Sequence, residues 1–364
     1  MCRFYWLLRA YCAKIERFIQ PSALKGLFMK QQSIILLLVL LVSGQAYAMD
    51  GAAAASIPPS CPRLAIINKS PFVGGSHKAV AIGDRGGILA IHTMNCAHNR
   101  TINRYVLHQT GKQIYHIRAS NDSSRLYLCR HDGTFDIVDT QTGHIIKSTQ
   151  LGSRELYDIA LDEQNNMMLV GGEDGVLHML DLQGNKLSEC DNNRWVIESL
   201  ALSVATKQAM VGLSNTCSYA SAGAVVLFDC RQQTVQALPH AHSDWVTSVA
   251  LSADGKKGFS AGYGFQMSQW DFSGKPTFQK VRNVTLCPSI VKLALAGDAL
   301  CTTEDSGEMK IYDIRDFSVK FKHRKEGQDR METGTFSSLT ISDDAKVAAA
   351  ALSDRKEPWL VDIR

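Results

Sequence analysis

The sequence predicts an all-β chain: a single seven-bladed β-propeller of four-stranded antiparallel blades over residues 63–364, preceded by a signal peptide. Three observations predict it. Residues 114–139 align on residues 156–181 without a gap, at an offset of 42. Each segment reads as an apolar strand, a polar turn, a second apolar strand, an Asp-Gly hairpin turn and a third strand closing on Asp139 or Asp181. That closing pattern recurs at 93, 139, 181, 229, 271, 313 and 362, with spacings of 46, 42, 48, 42, 42 and 49. Units of this length, with four strands each, bury their apolar faces only by stacking on neighbours.

In chain order, the leader comes first. An unbroken apolar run follows Ser33, with Lys30 before it and Ala46-Tyr47-Ala48 after it. A run of about ten is shorter than the roughly 20 residues of a membrane-spanning helix, and the small-x-small ending reads as a cleavage site. Residues 1–48 are therefore expected to be removed after Ala48, with Met29 as the alternative start. Residues 49–62 are a flexible lead-in. The mature chain has no expected membrane span and belongs in the periplasm or outside the cell.

This cut changes the charge. Taking the six Lys/Arg and the single Glu of residues 1–48 from the 39 basic and 35 acidic residues leaves 33 and 34, a net charge of −1 rather than +4. A near-neutral body without a Lys/Arg run lacks the electrostatic footprint of a nucleic-acid binder. Eight cysteines remain: Cys61, Cys96, Cys129, Cys190, Cys217, Cys230, Cys287 and Cys301. An even count in an exported chain permits disulfides, and the absence of any CxxC removes support for zinc ribbons, thioredoxin-like redox and c-type haem.

Asp132-Gly133 and Asp174-Gly175 mark the turns between second and third strands, and the closers Asp139, Asp181, Asp229, Asp271, Asp313 and Asp362 mark third-strand ends. These aspartates and Trp270 are expected to be structural. The two longest interior or terminal units carry inserts at 218–223 and 326–334, polar or small as surface loops should be. Fourth strands fit at 143–149, 275–280 and 317–322, where alternating charge suits an outer edge. The last unit stops two residues after Asp362, so its outer strand has to come from elsewhere. The expected donor is residues 63–67.

Residues 240–271 hold His242 before the first strand, a Ser-x-Asp-Gly turn at Ser252, Asp254 and Gly255, and the closing pair Trp270-Asp271. This unit resembles the WD40 repeat family, and the resemblance extends over roughly residues 64–364. Only this unit closes on Trp-Asp, and Gly264 stands where the family has its tight-turn Asp. The resemblance implies a structural role for His242. It also implies a non-enzymatic domain that binds a protein or peptide on its loop face.

The other motifs carry less. Residues 258–262 (GFSAG) match GxSxG, but they fall in a second strand with no helix after it, unlike a nucleophile elbow. His240, His242 and Asp244 have metal-ligand chemistry, yet no metal and no cofactor is assigned. Phosphate-loop, HExxH and EF-hand motifs are absent from the sequence. Glu173-Asp174 and Glu304-Asp305 read as turn residues. First-strand positions read as Ile, Leu, Val, Ala, Ser and Thr, a packed core, which argues against a catalytic channel.

Loops entering the first strands share a face with the turns between second and third strands. Arg154, Arg194, Trp195, His242, Asp244 and Trp245 lie there as the partner-binding set, beside Glu155. Trp and Arg anchor interfaces because they bury much area and still make polar bonds. Cys190 and Cys217 fall on the same face and form the candidate disulfide. The expected protein is a monomeric scaffold. The alternatives are a propeller enzyme (hydrolase or oxidoreductase) with a metal or cofactor in its central channel, and a small-ligand sensor.

Overall fold

The computed structural model describes residues 63–67, 77–95, 100–191, 195–215, 222–242, 244–263, 266–274, 279–285, 290–304, 307–324, 336–342, 345–352 and 359–362. All belong to one compact unit, Pro58–Arg364. Blade 1 comprises β1 (Arg63–Ile67), β2 (His77–Gly83), β3 (Ile88–Asn95) and β4 (Arg100–Gln109). Blade 2 comprises β5 (Ile114–Ala119), β6 (Arg125–Arg130), β7 (Thr134–Asp139) and β8 (Ile145–Gln150). Blade 3 comprises β9 (Leu156–Asp162), β10 (Met167–Gly172), β11 (Val176–Leu180) and β12 (Lys186–Asp191). Blade 4 comprises β13 (Val196–Ser203), β14 (Gln208–Asn215), β15 (Ala222–Asp229) and β16 (Thr234–His242). Blade 5 comprises β17 (Val246–Leu251), β18 (Lys257–Gly262), β19 (Gln266–Asp271) and β20 (Gln279–Thr285). Blade 6 comprises β21 (Ile290–Ala296), β22 (Ala299–Glu304), β23 (Glu308–Asp313) and β24 (Val319–Arg324). Blade 7 comprises β25 (Phe336–Ile341), β26 (Val347–Leu352) and β27 (Trp359–Asp362).

Every sheet is antiparallel and ordered as the chain runs, so seven blades follow one another as the repeat predicts. Burial falls from inside to outside. All six residues of β10 are buried, while β8 is almost wholly exposed. A central strand is covered by both neighbouring blades, which explains why second strands read as continuous apolar runs rather than alternating ones.

The first strands form the inner ring. Each touches the next, and β25 returns to β1. Side chains stitch neighbours at equivalent positions: Leu200 N donates to Asp158 Oδ2 (2.8 Å), Val249 N to Ser199 Oγ (3.2 Å), Leu293 N to Ser248 Oγ (3.0 Å) and Leu64 N to Ser338 Oγ (3.2 Å). The last of these closes the circle between blades 1 and 7.

That closure corrects one expectation. Residues 63–67 are not the outer strand of blade 7 but the inner strand of blade 1, paired with β2. Leu64 and Ile66 pack with Val347, Ala349 and Leu360 of blade 7, while Ala65 packs with Ile114 and Ile117 of blade 2. A strand apolar on both sides fits between two blades and not on a rim. Among the described residues blade 7 has three strands, and β27 is its edge. Among the described residues the fourth strand of blade 5 runs Gln279–Thr285, and residues 275–278 lie outside them. The leader and lead-in (1–62) and the inserts at 218–221 and 326–334 lie outside the described residues. Among the described residues no helix is long and apolar enough to cross a membrane.

Candidate functional site

Six of the seven inner strands carry a bulge at the same place. Pairing with the second strand shifts across Tyr115, Tyr157, Glu198, Thr247, Val291 and Ser337. A bulge inserts one unpaired residue and re-aims its side chain. Here consecutive residues line the central channel: Tyr115 and His116, Tyr157 and Asp158, Glu198 and Ser199. The channel holds a cavity of about 860 Å³, polar at this level and apolar further down, around Ala160, Ala250 and Leu295. The expectation of a packed axial core is therefore corrected. The first strands were read as core from their Ile, Leu, Val, Ala, Ser and Thr, and residue type alone does not mark where a bulge re-aims a side chain.

Above the bulges, the entry loops meet the turns between second and third strands. Backbone bonds fix this contact in three blades: His131 N to Gln113 O, Glu173 N to Glu155 O and Tyr263 N to Trp245 O. Glycine permits it. A Cβ on Gly172 would stand 2.0 Å from Glu155 O, and one on Gly262 1.9 Å from Trp245 O. In blades 2 and 3 the result is a cluster of acids and aromatics. Tyr157 OH donates to Glu155 Oε2 (2.8 Å), Tyr115 OH to Glu155 Oε1 (3.5 Å), and His131 Nδ1 lies 2.7 Å from Glu155 Oε1. The Tyr115 ring stacks on His131 and tilts against Tyr157, at centroid distances of 6.0 and 5.3 Å. Arg154 reaches Glu173 at 3.1 Å.

Two carboxyls here, Glu173 and Glu198, are pushed above their ordinary value. Burial, and then a hydrogen bond with Glu155, push Glu173 above the ordinary glutamate value. Burial pushes Glu198 up as well, against a 2.5 Å bond from Ser214 Oγ and the charge of Lys292. Tyr157 is raised far beyond a free phenol by burial and by the Glu155 carboxylate, and it also feels Glu198 and Glu173. These mutual effects place the four groups in one electrostatic neighbourhood. Glu155, Glu173, Glu198, Tyr115 and Tyr157 were not predicted as a site. Glu155 was named only as a loop residue and Glu173 as a turn residue.

The predicted partner-binding residues divide. Arg154 is exposed and borders the cluster. Trp195 packs partly buried on the apolar core shared by blades 3 and 4. Trp245 meets Tyr263 edge-on at 6.2 Å, and its buried Nε1 has no hydrogen-bond partner among the described residues. Asp244 Oδ1 accepts from Trp245 N (2.8 Å), which shapes the entry loop. Arg194 lies outside the described residues. His242 turns inward: its Nε2 is 2.8 Å from Ser260 Oγ, which accepts from Trp270 Nε1 at 3.0 Å. Ser260 and Trp270 are fully buried, so the serine of the GxSxG match sits inside a blade, bonded to the tryptophan.

The aspartates make turns. Asp139, Asp181, Asp229, Asp271 and Asp313 each accept from backbone N–H groups two to four residues on, at 2.7–3.0 Å. Asp132 and Asp174 accept from Thr134 N and Val176 N at 3.1 and 3.0 Å. Burial pushes both aspartates up, but Lys112 and Thr134 at one, and His178 and Val176 at the other, outweigh it and hold them low. Asp362 ends β27. Cys190 sits half-buried on β12, and Cys217, the other half of the candidate disulfide, lies outside the described residues. Among the described residues no three His, Cys, Asp or Glu side chains converge to hold a metal ion.

No protein-family model matches the sequence. No curated protein matches it at a significant level. Solved structures do match, 1734 chains in all. One is a chain of the structure titled "Crystal Structure of Mitotic Checkpoint Complex", with a TM-score of 0.65 and 14% identity. The match covers 87% of this chain and 98% of that one. At this identity the likeness is one of fold: the chain is a seven-bladed β-propeller.

Proposed function

We propose that this chain is an exported WD40-like propeller that serves as a non-enzymatic scaffold, binding a protein or peptide partner on the face formed by its entry loops. One observation carries the reading. A ring closed by side-chain bonds between blades presents Arg154, Trp245 and the mouth of an open channel on the same face. A rigid rim with aromatic and arginine anchors loses little entropy on docking. The similar solved chain belongs to a structure whose title names a complex, which agrees with this reading. Export rests on the sequence pattern of residues 29–48.

The test is capture from envelope extract by the full chain, its Trp195→Ala/Trp245→Ala variant and its Arg154→Glu variant. Arg154→Glu is included because Trp195 also packs on the core. Both variants are expected to lose the captured partner, and unchanged capture by both would remove this face. For export, mass spectrometry of the chain recovered from the envelope is expected to show an N-terminus at Met49. A retained leader contradicts it.

A second reading has one observation in its favour. The Glu155–Glu173 pair, with Tyr157 and His131 beside it, has the makings of acid–base chemistry in the channel mouth. Turnover of a lactone or ester panel, lost in Glu173→Gln, would establish it.

A further inference from the structure

We propose that His178, buried in the seam between blades 2 and 3, works as a proton-operated switch: when protonated, its two ring nitrogens draw in Asp174 and Glu189, and Asp174 carries the entry loop of blade 3 with it. The inference goes beyond the docking face and does not rest on it, although Arg154 of that face rides on this loop.

The geometry is that of a clamp left slightly open. His178 is 2% exposed. Asp174 Oδ2 lies 3.8 Å from its Nε2, and Glu189 Oε2 lies 3.8 Å from its Nδ1. Neither nitrogen has a hydrogen-bond partner among the described residues. A neutral imidazole carries one N–H, so one bare nitrogen faces a carboxylate oxygen. An imidazolium carries two, one for each acceptor. Closing either gap to the roughly 2.8 Å of a charge-assisted hydrogen bond takes a movement of about 1 Å. Both carboxyls are held low, Asp174 against its burial and Glu189 by its bond with Lys186, so both present charge to the ring.

The surroundings leave the ring to these two groups. On one side of His178, β10 sets Val170 opposite it; on the other, β12 sets Glu189, which Lys186 also holds. Blade 2 packs on this side through Tyr127, Cys129, Phe135 and Ile137. Burial raises that phenol and that thiol, so both are neutral. Lys147 of β8 acts on Asp181, at the far end of β11. Asp174 is the member that transmits movement. Its Oδ1 accepts from Val176 N at 3.0 Å and so shapes the second turn. Its Oδ2 lies over Gly152, where a Cβ would stand 2.4 Å away. The same turn is tied to the entry loop by Glu173 N to Glu155 O at 2.9 Å. A displacement of Asp174 toward His178 therefore leaves Gly152 and moves the loop that holds Arg154. Imidazoles titrate within about pH 5 to 8, so the device answers to the acidity of its surroundings.

The experiment is a nuclear magnetic resonance titration of the isotope-labelled full chain from about pH 8 to 5, following the imidazole nitrogens of His178 and the backbone amides of Val176 and Arg154. Both nitrogens are expected to become protonated within this window, and both amides to shift with the same midpoint. Glu189→Gln removes one carboxylate from a half-exposed side chain, so it is expected to melt as wild type does and to lower that midpoint by at least about 0.5 pH unit. His178→Gln is expected to abolish the response of the two amides; should it fail to fold, the midpoint in Glu189→Gln decides alone. An imidazole that stays neutral down to pH 5 overturns the inference. So does a titration that leaves Val176 and Arg154 unmoved, or a midpoint unchanged in Glu189→Gln. None of these outcomes bears on whether a partner docks: loss of capture in the Arg154→Glu variant tests that separately, so either reading can fall while the other stands.

Discussion

A single hydroxyl organises the most recognisable blade. Ser260 Oγ serves both the indole of Trp270 and the imidazole of His242 inside blade 5. Ser260→Ala is therefore expected to cost about 1–3 kcal/mol in urea unfolding, the penalty for a buried donor left without a partner; a loss within error would show that the network is dispensable. Two titrations with opposite signs are also expected. Burial, then the charge of Arg104, lower His92 to about 4. The folded state thus binds fewer protons than the unfolded one between about pH 4 and 6.5, and stability is lost as pH falls through that window, by up to about 3 kcal/mol. His92→Gln should flatten this acid loss in melting curves. Glu173 is raised, so its contribution is present below the ordinary value of 4.5 and is lost as pH rises through its folded value. Glu173→Gln, which resembles the protonated form, should melt higher than wild type at neutral pH, and a lower melt would contradict the upward shift of Glu173. Trp270, His242 and the turn aspartates were legible because local spacing fixes their roles. Glu155, Glu173 and Glu198 were not, because they meet only through tertiary packing: Glu155 and Glu173 are 18 residues apart, and Glu198 sits in the next blade.

Strands were legible wherever the repeat recurs. Parity of alternation identifies a strand's faces, and a bulge reverses parity within it. The six bulged inner strands were read as plain core from residue type, and the channel wall was missed. β1 was assigned to a rim because the last unit stops two residues after Asp362 and needs an outer strand, although its run of apolar residues suits an inner position. Close packing between strands of adjacent blades depends on small residues in the second strand. A Cβ on Gly212 would lie 2.8 and 3.0 Å from Val246 and Val249 methyls. Gly212→Val should cost about 1–3 kcal/mol through overpacking, measured by chemical unfolding against Val235→Thr, an exposed control on β16. Equal stability of the two variants would mean that blades 4 and 5 are less tightly joined than the geometry shows.

At the scale of the whole molecule, seven sheets in a circle follow from a repeat that buries its faces only against its neighbours, and the count was readable from the spacing of the seven closing positions, six of them aspartates. How the circle closes was not, because a bond such as Leu64 N to Ser338 Oγ joins residues 274 apart. The same circle separates two faces. Entry loops and second turns lie on one, first and third turns on the other. The proposed docking face is the first. A photo-crosslinking residue inserted into the full chain tests this placement directly, once at Ser153 in the entry loop of blade 3 and once at Asp254 in the first turn of blade 5, both exposed. Irradiation in the native envelope should give a discrete protein adduct from position 153 and none from 254. Adducts from 254 alone, or equally from both, would contradict the docking face.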